Sequence, residues 1–565
     1  MSNIQVGLKV GLVISAALIL TGCSSQKSGS GKLAAKQEFT TAVDSELSTV
    51  DLSKTTSVQT FEVLNNIDEG LYRLGKDSKI ENALATKTNI SNDGLKYTFN
   101  LRKGTKWSNG DPVTAKDFVY SWRRTVNPKT ASQYGYLFSG IQNADAIQAN
   151  KKSPNSLGIK ADGNYKLVVT LEKKIPYFKL LMGFPLFFPQ NQKVVEKFGD
   201  NYGTKSADMV YNGPFKLTSW NGTGMTWTLA KNQNYWDKKA VKLDKLHYQV
   251  TKDHWDKKAV KLDKLHYQVT KDPSTGYNQF KTDKLQYVGL SGVLAKNLKN
   301  NKNLVTRETS SCYYLAFNQK KKLFKNLKIR EAISMAIDRG QLTKKILGDG
   351  SFNSQSFVSK GLSINPKTGK DFTATTAKPD SLTYNPTKAK ALWKAGLKEL
   401  GITKMSFTLL SSDEFAQKQV SEYLQSQLEK NLPGLKVNLR NIPFQTLLSR
   451  QKSHNYQVTM GDWYADFADP ITFLNILTSG NPSNVPQWSN KQYDKLIKAS
   501  STTDAGNADK RFEDMTKAQN ILLDNQGITP LYQSASKNLL SSKVKGIIYN
   551  TAGATYNYKN AYIVK

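Results

Sequence analysis

The sequence predicts an α/β protein divided into at least two lobes, and three observations carry that prediction. The chain has 565 residues, well past the length at which one hydrophobic core stops growing. Residues 406–439 read as strand, helix, strand, the spacing of a parallel crossover. The middle of the chain instead carries short strand-like stretches, LKYTFNLRKG, TWTLAKNQNYW and KLHYQVT, bounded by Gly, Asn and Asp. The division between lobes is expected within 306–313. A hydrophobic fraction of 38% with 10% aromatics suits a folded globular protein.

In chain order, residues 1–22 read as a secretory signal. An apolar run over 11–20 is too short to span a bilayer and has the length of a signal core. It ends in Leu20-Thr21-Gly22-Cys23, which resembles the lipobox of bacterial lipoproteins. The small residues before Cys23 admit a peptidase, and the thiol would carry a diacylglycerol. Residues 23–36 then read as the lipidated Cys and a flexible tether of Ser, Gly and Lys. Such an anchor implies a body held at the outer face of a membrane. The other Cys of the chain, Cys312, reads as a packed strand residue, and with Cys23 acylated no disulfide forms within the chain.

Residues 114–126 read as a helix capped by Thr114 with Asp117, placing Phe118, Trp122 and Val126 on one face. Residues 327–339 read as a second helix, with Ile329, Ile333, Ala336 and Ile337 on its stripe. Residues 406–410 read as a strand. Ser411 with Glu414 has the pattern of a capping box for a helix over 415–430, and Leu435, Val437 and Leu439 alternate as the next strand.

No catalytic pattern is present. H-E-x-x-H, C-x-x-C, G-x-S-x-G and the phosphate-loop pattern are all missing. Three of the four His residues, His247, His254 and His266, lie in or beside a repeated segment; duplication explains two of them without any metal, and no metal or cofactor is expected. Asp462, Asp466 and Asp469 are close in GDWYADFADP, but their spacing is wrong for a calcium loop. The net charge of +35 comes mainly from Lys spread along the chain, without a basic strip or nucleic-acid motif, so nucleic acid is not an expected partner.

A set of stretches in order is recognisable: DEGLYRL at 68–74, DGLKYTFNLRKGTKWSNGDPVTAKDFVYSWRR at 93–124, YNGPFKL at 211–217, KNQNYWD at 231–237, FKNLKIREAISMAIDR at 324–339 and GDWYADFADPITFL at 461–474. Together they resemble the oligopeptide-binding lipoproteins of ABC importers, the peptide and nickel type of extracellular solute-binding proteins. The resemblance implies a two-lobe clamp, periplasmic-binding-protein-like and of the large type II form with an extra subdomain. Lobe I would comprise 37–74, 191–305 and 526–565, the extra subdomain 75–190, and lobe II 306–525. It implies a monomer with no enzyme activity that captures extended oligopeptides and passes them to the permease and ATPase subunits of a peptide importer, anchored on the extracellular face of a Gram-positive cell membrane. Such a cleft must bind what all peptides share, the main chain and the charged ends, with water adapting side-chain pockets.

The resemblance also implies the site. Asp466 matches the family aspartate that holds the peptide α-ammonium; Trp463 and Tyr464 would flank the ligand main chain; Tyr134 matches a cleft tyrosine; and Thr56, Ser57 and Val58 fall where the other lobe offers backbone groups. Two positions depart from the family: Met460 stands where an arginine is expected, and Thr56 where a glutamate is expected. The grip on the peptide ends, and with it peptide length, stays open. Two alternatives remain: a dedicated pheromone or other small-solute receptor of the same family and, from another class, a surface adhesion protein. A secreted hydrolase is disfavoured by the missing nucleophile and base.

WDKKAVKLDKLHYQVTKD occurs at 236–253 and again, unchanged, at 255–272, with His254 standing where Tyr235 stands before the first copy. Functional repeats diverge and come in threes or more, so a tandem duplication is the economical reading. Both copies can make the same strand face, and one sheet position accepts one of them. Looping out the other costs on the order of 1–2 kcal/mol.

Overall fold

A computed structural model describes residues 32–43, 47–223, 226–250, 273–290 and 292–565. The signal segment, Cys23, most of the tether, His254, His266 and the second copy at 255–272 lie outside the described residues. No helix among the described residues is long and apolar enough to cross a membrane.

Two large sheets organise the chain. The first has seven strands, in the order Leu304–Glu308, Ala535–Leu540, Tyr287–Gly289, Glu38–Val43, Lys245–Val250, Thr226–Lys231 and Phe215–Thr218. The second has six, in the order Phe352–Asn353, Thr529–Gln533, Ser311–Phe317, Val458–Tyr464, Met405–Ser412 and Leu435–Ile442. A separate four-stranded sheet, built from Ala85–Ile90, Lys96–Leu101, Lys166–Thr170 and Ile159–Ala161, falls inside the 75–190 insertion. The helix Ala115–Val126 buries Phe118, Trp122 and Val126, and the Asp117 carboxylate accepts the Thr114 N–H at 2.7 Å. The expected helix and its cap are therefore present.

The strand–helix–strand unit is also present. Met405–Ser412 runs parallel to Leu435–Ile442 in register from Met405↔Leu435 to Ser412↔Ile442, with the helix Phe415–Asn431 between them. The expected capping box does not form. Pairing continues through Ser412, so Ser411 stays in the strand, where its hydroxyl accepts from Asn441 Nδ2 at 2.6 Å, and Glu414 occupies the cap position instead. The helix expected over 327–339 ends at Met335. Asp338 starts a new turn by accepting the Gln341 N–H, and the buried Arg339 guanidinium donates to the carbonyls of Ser334, Leu382 and Pro530 across the break. Periodicity could not register a break whose stabilising partners lie at 382 and 530.

The chain crosses between the large sheets twice, at 309–310 and at 534. The crossings lie side by side: the Thr309 N–H donates to the Ser534 carbonyl at 3.1 Å, and Gln533 Nε2 donates to the Thr309 carbonyl at 3.0 Å. The first crossing lies within the 306–313 stretch, and the second lies beyond 525 because Thr529–Gln533 completes a ladder of the second sheet first. Cys312 is fully buried in the second sheet, whose one face carries Leu315, Phe317, Phe407 and Met460 and whose other carries Tyr314, Ala316, Phe357 and Phe473.

The first copy of the repeat is built into this framework. Lys245–Val250 lies parallel to Glu38–Val43 on one side and antiparallel to Thr226–Lys231 on the other, so both of its edges are paired. Val241 and Leu243 are fully buried, the Trp236 indole donates to Glu69, and the Arg102 guanidinium sits 3.6 Å above its ring. An identical segment can occupy the same place. Deleting 236–254 joins Tyr235 to Trp255 and leaves one copy, so the melting temperature is expected to stay within a few degrees of the parent. A thermal melt checks this; a collapse of the transition would show that the two copies are not interchangeable.

Candidate functional site

The strand Val458–Tyr464 is the central element of the site. Its pairing with Met405–Ser412 stops at Thr459, while its pairing with Ser311–Phe317 continues to Tyr464. Beyond Thr459 its second edge is covered by no strand among the described residues, and an uncovered edge is a template for an added strand. Alternation sends Trp463 to one face and Asp462 and Tyr464 to the other.

Trp463 meets Tyr134 of the 75–190 insertion, with ring centroids 6.3 Å apart and planes at 16°. Tyr134 also touches Phe61 at 5.6 Å, one turn into the helix Val58–Ile67. Aromatic contacts thus link Trp463 on the second sheet to the helix that follows Thr56. Trp463 Nε1 is buried and has no hydrogen-bond partner among the described residues.

Asp466 follows the strand end and is 7% exposed. Its carboxylate accepts from the Thr472 hydroxyl at 3.3 Å, its own N–H donates to Thr472 Oγ1 at 3.1 Å, and the Tyr134 hydroxyl faces it. Burial pushes this carboxyl up to about 7, against the pull of the Thr472 and Tyr134 hydroxyls. Burial and the Asp466 charge raise Tyr134 in turn. Thr472 also lines a cavity of about 330 Å³ with Tyr136, Tyr177, Phe467, Asn475 and Lys498.

The three residues expected at the helix start do different things. Ser57 caps the helix: its Oγ accepts the Thr60 N–H at 3.4 Å, its carbonyl accepts the Phe61 N–H, and its N–H donates to Thr55 Oγ1. Its side chain, carbonyl and N–H thus each have a partner within the segment. Thr56 is half-buried and its main-chain groups have no partner among the described residues, while the Val58 side chain is 40% exposed. The segment is braced from behind by Asp51, which holds Arg124 through two bonds of 2.6 and 2.7 Å and accepts the Ser53 N–H.

Tyr464 lies apart from the Tyr134–Trp463 pair. Its hydroxyl is 3.0 Å from that of Tyr313, which stacks on Tyr532 at 4.6 Å. Met460 packs into the apolar core of the second sheet. Asp469 is ion-paired to Arg511 at 2.7 Å, and no group of three or more metal-binding side chains occurs among the described residues. Tyr136 and Thr472 were not singled out from sequence; Thr472 lies in the recognisable 461–474 stretch, but its bond to Asp466 depends on the turn at Pro470.

The buried acids predict a pH effect. Asp466 stands at about 7 and Asp68 at about 8, both raised by burial from an ordinary value of 3.8. Each keeps a proton in the folded chain that it has lost in the unfolded one. Their contribution is complete below about 4 and disappears as pH rises through 7 and 8. The melting temperature of the ligand-free protein is therefore expected to fall between pH 5 and 8; a rise would contradict these burial shifts.

A sequence model of the bacterial extracellular solute-binding proteins, family 5 (middle), matches residues 79–254 and 250–485, two stretches that meet where the first copy of the repeat ends. A dipeptide-binding protein of Lactococcus lactis subsp. cremoris is 35% identical over 99% of both chains. Among solved structures, Listeria monocytogenes OppA bound to peptide is 39% identical, with a TM-score of 0.86 over 94% of this chain and 100% of that one. The pheromone receptor PrgZ is 34% identical, with a TM-score of 0.85 over 94% and 100%. The Escherichia coli murein tripeptide binding protein MppA superposes with a TM-score of 0.81 in one structure, and MppA in an unliganded open form with 0.65. The arrangement of this chain is nearer to the peptide-bound OppA than to the open MppA.

Proposed function

The chain belongs to family 5 of the bacterial extracellular solute-binding proteins, and from that premise we propose that it is the peptide-capturing receptor of an ABC importer. The two large sheets are the cores of two lobes, the 75–190 insertion is a subdomain of the first, and the paired crossings at Thr309 and Ser534 are the hinge between them. An extended oligopeptide adds to the open edge of Val458–Tyr464, with Thr56 facing it from the first lobe. Asp466 receives its α-ammonium, Tyr134 holds that carboxylate, and Trp463 and Tyr464 stand on either side of the ligand strand.

The observation that carries this reading is the meeting of Tyr134 with Trp463 and Asp466, brought from 329 residues or more apart to a strand end with an uncovered edge. The reading needs no cofactor and no bond-breaking step. Cys23 anchors the receptor by lipid on the extracellular face of the membrane, as a monomer beside the permease and ATPase subunits. The Lactococcus and Listeria relatives favour a Gram-positive cell.

Calorimetry with a random peptide pool, followed by mass spectrometry of what stays bound, tests the proposal. Stoichiometric binding of intact peptides of many sequences is expected. Shortened peptides would show a hydrolase, and a protein that ignores the pool would be an adhesin. The likeness to PrgZ favours a second reading, a dedicated pheromone receptor, which would retain one sequence from the pool.

A further inference from the structure

A second carboxylate stands on the same strand, and neither the fold nor the Asp466 anchor uses it. Asp462 is two residues from the strand end and in register with Tyr313, whose own partner in the next strand is Tyr532. Cross-strand partners share a face, so Asp462, Tyr464, Tyr313 and Tyr532 stand together. Tyr313 stacks on Tyr532 with planes at 7° and meets Tyr464 edge-on at 6.2 Å. The Asp462 charge is felt by the hydroxyls of Tyr134, Tyr313, Tyr314 and Tyr532. No hydrogen bond or ion pair engages its carboxylate among the described residues, and burial alone pushes it up to about 6. Asp469, three residues past Asp466, is neutralised by Arg511, and Asp466 accepts from the Thr472 hydroxyl and is faced by that of Tyr134. Asp462 has neither compensation.

We propose that Asp462, walled by Tyr313, Tyr464 and Tyr532, is a subsite for the basic side chain of a bound peptide, so that this receptor prefers peptides with Lys or Arg inside the amino-terminal half. The proposal rests on the peptide-receptor reading above. Asp462 is half-buried and has no counter-ion, so an incoming ammonium or guanidinium pairs its charge and makes a charge-assisted hydrogen bond. The ring faces beside it add a cation–π attraction. Side chains opposite each other on paired strands lie on one face. A ligand strand running antiparallel from an ammonium at Asp466 therefore presents an inner residue, not its first, to Asp462. The +35 chain repels cationic peptides at long range, so the preference has to be set by a local acid.

Titration calorimetry with penta-alanine, its single-Lys variants and the matching norleucine variants tests this, because norleucine keeps the methylenes and lacks the charge. At one position among the second to fourth, the wild-type protein is expected to bind the Lys peptide at least tenfold more tightly than the norleucine peptide. In Asp462→Asn that ratio is expected to fall to about one, with a melting curve showing that the variant is folded. A ratio near one at every position in the wild type, or a ratio that survives Asp462→Asn, overturns the inference while leaving the receptor reading intact. Failure of the wild type to bind any of the peptides overturns the receptor reading and this inference with it.

Discussion

Asp466→Asn is expected to lower the affinity for a free pentapeptide by about ten- to a hundredfold, and to abolish the difference between that peptide and its N-acetylated form. The substitution keeps the size of the side chain and a partner for Thr472 but removes the charge that an α-ammonium meets. A hydrogen bond to a charged group contributes about 1.5–3 kcal/mol, which sets the range. The pH dependence gives the same residue a second signature. With the carboxyl raised to about 7 by burial, binding an ammonium below that pH must first remove a proton. Affinity is therefore expected to rise about tenfold between pH 5.5 and 7, and to flatten above that as peptide amino groups begin to deprotonate. Calorimetry across pH on both proteins measures it. An unchanged slope in Asp466→Asn would assign the proton to another group and remove Asp466 from the anchor.

Arg330→Ala is expected to cost about 3–5 kcal/mol of stability, the largest structural effect we anticipate from one side chain. Arg330 is 5% exposed, and its guanidinium donates to four carbonyls: Phe324 and Lys325 in the short helix before its own, and Asn525 and Gln526 in the segment leading to the second crossing. Removing it leaves buried acceptors unpaired and opens a cavity, two of the mechanisms behind large losses. Urea unfolding of the ligand-free protein measures the change. A loss below about 1 kcal/mol would show that water reaches those carbonyls. The same contacts explain why FKNLKIREAISMAIDR is so recognisable: both of its arginines within the helical stretch, Arg330 and Arg339, tie main chain from distant segments together.

Local rules carried far along this chain. The helix Ala115–Val126 with Asp117 at its start, the parallel pair around Phe415–Asn431, and the strands Lys96–Leu101 and Thr226–Lys231 all follow from periodicity and punctuation that neighbours in sequence supply. The expectations that missed were those in which a local pattern competed with a distant partner. Ser411 has the sequence of a cap and the place of a strand residue, because Asn441 and the ladder with Leu435–Ile442 claim it. The 327–339 stripe breaks at Met335 because Arg339 turns to carbonyls at 382 and 530.

The site divides along the same line. Which residue types were present, and that Asp466 and Tyr134 matched a peptide clamp, was legible in GDWYADFADP and TASQYGYLF. By itself the sequence determined the class of protein, the order of its parts and the fact that a stretch was copied, since these depend on pattern alone. Only the tertiary structure decided that Trp463 meets Tyr134, that Asp469 is neutralised while Asp462 is not, that the first copy of the repeat holds a strand position with both edges paired, and that the chain passes between the two large sheets at 309–310 and at 534. Each of these depends on which distant group comes within a few ångströms, and burial then sets the charge state of the acids it encloses.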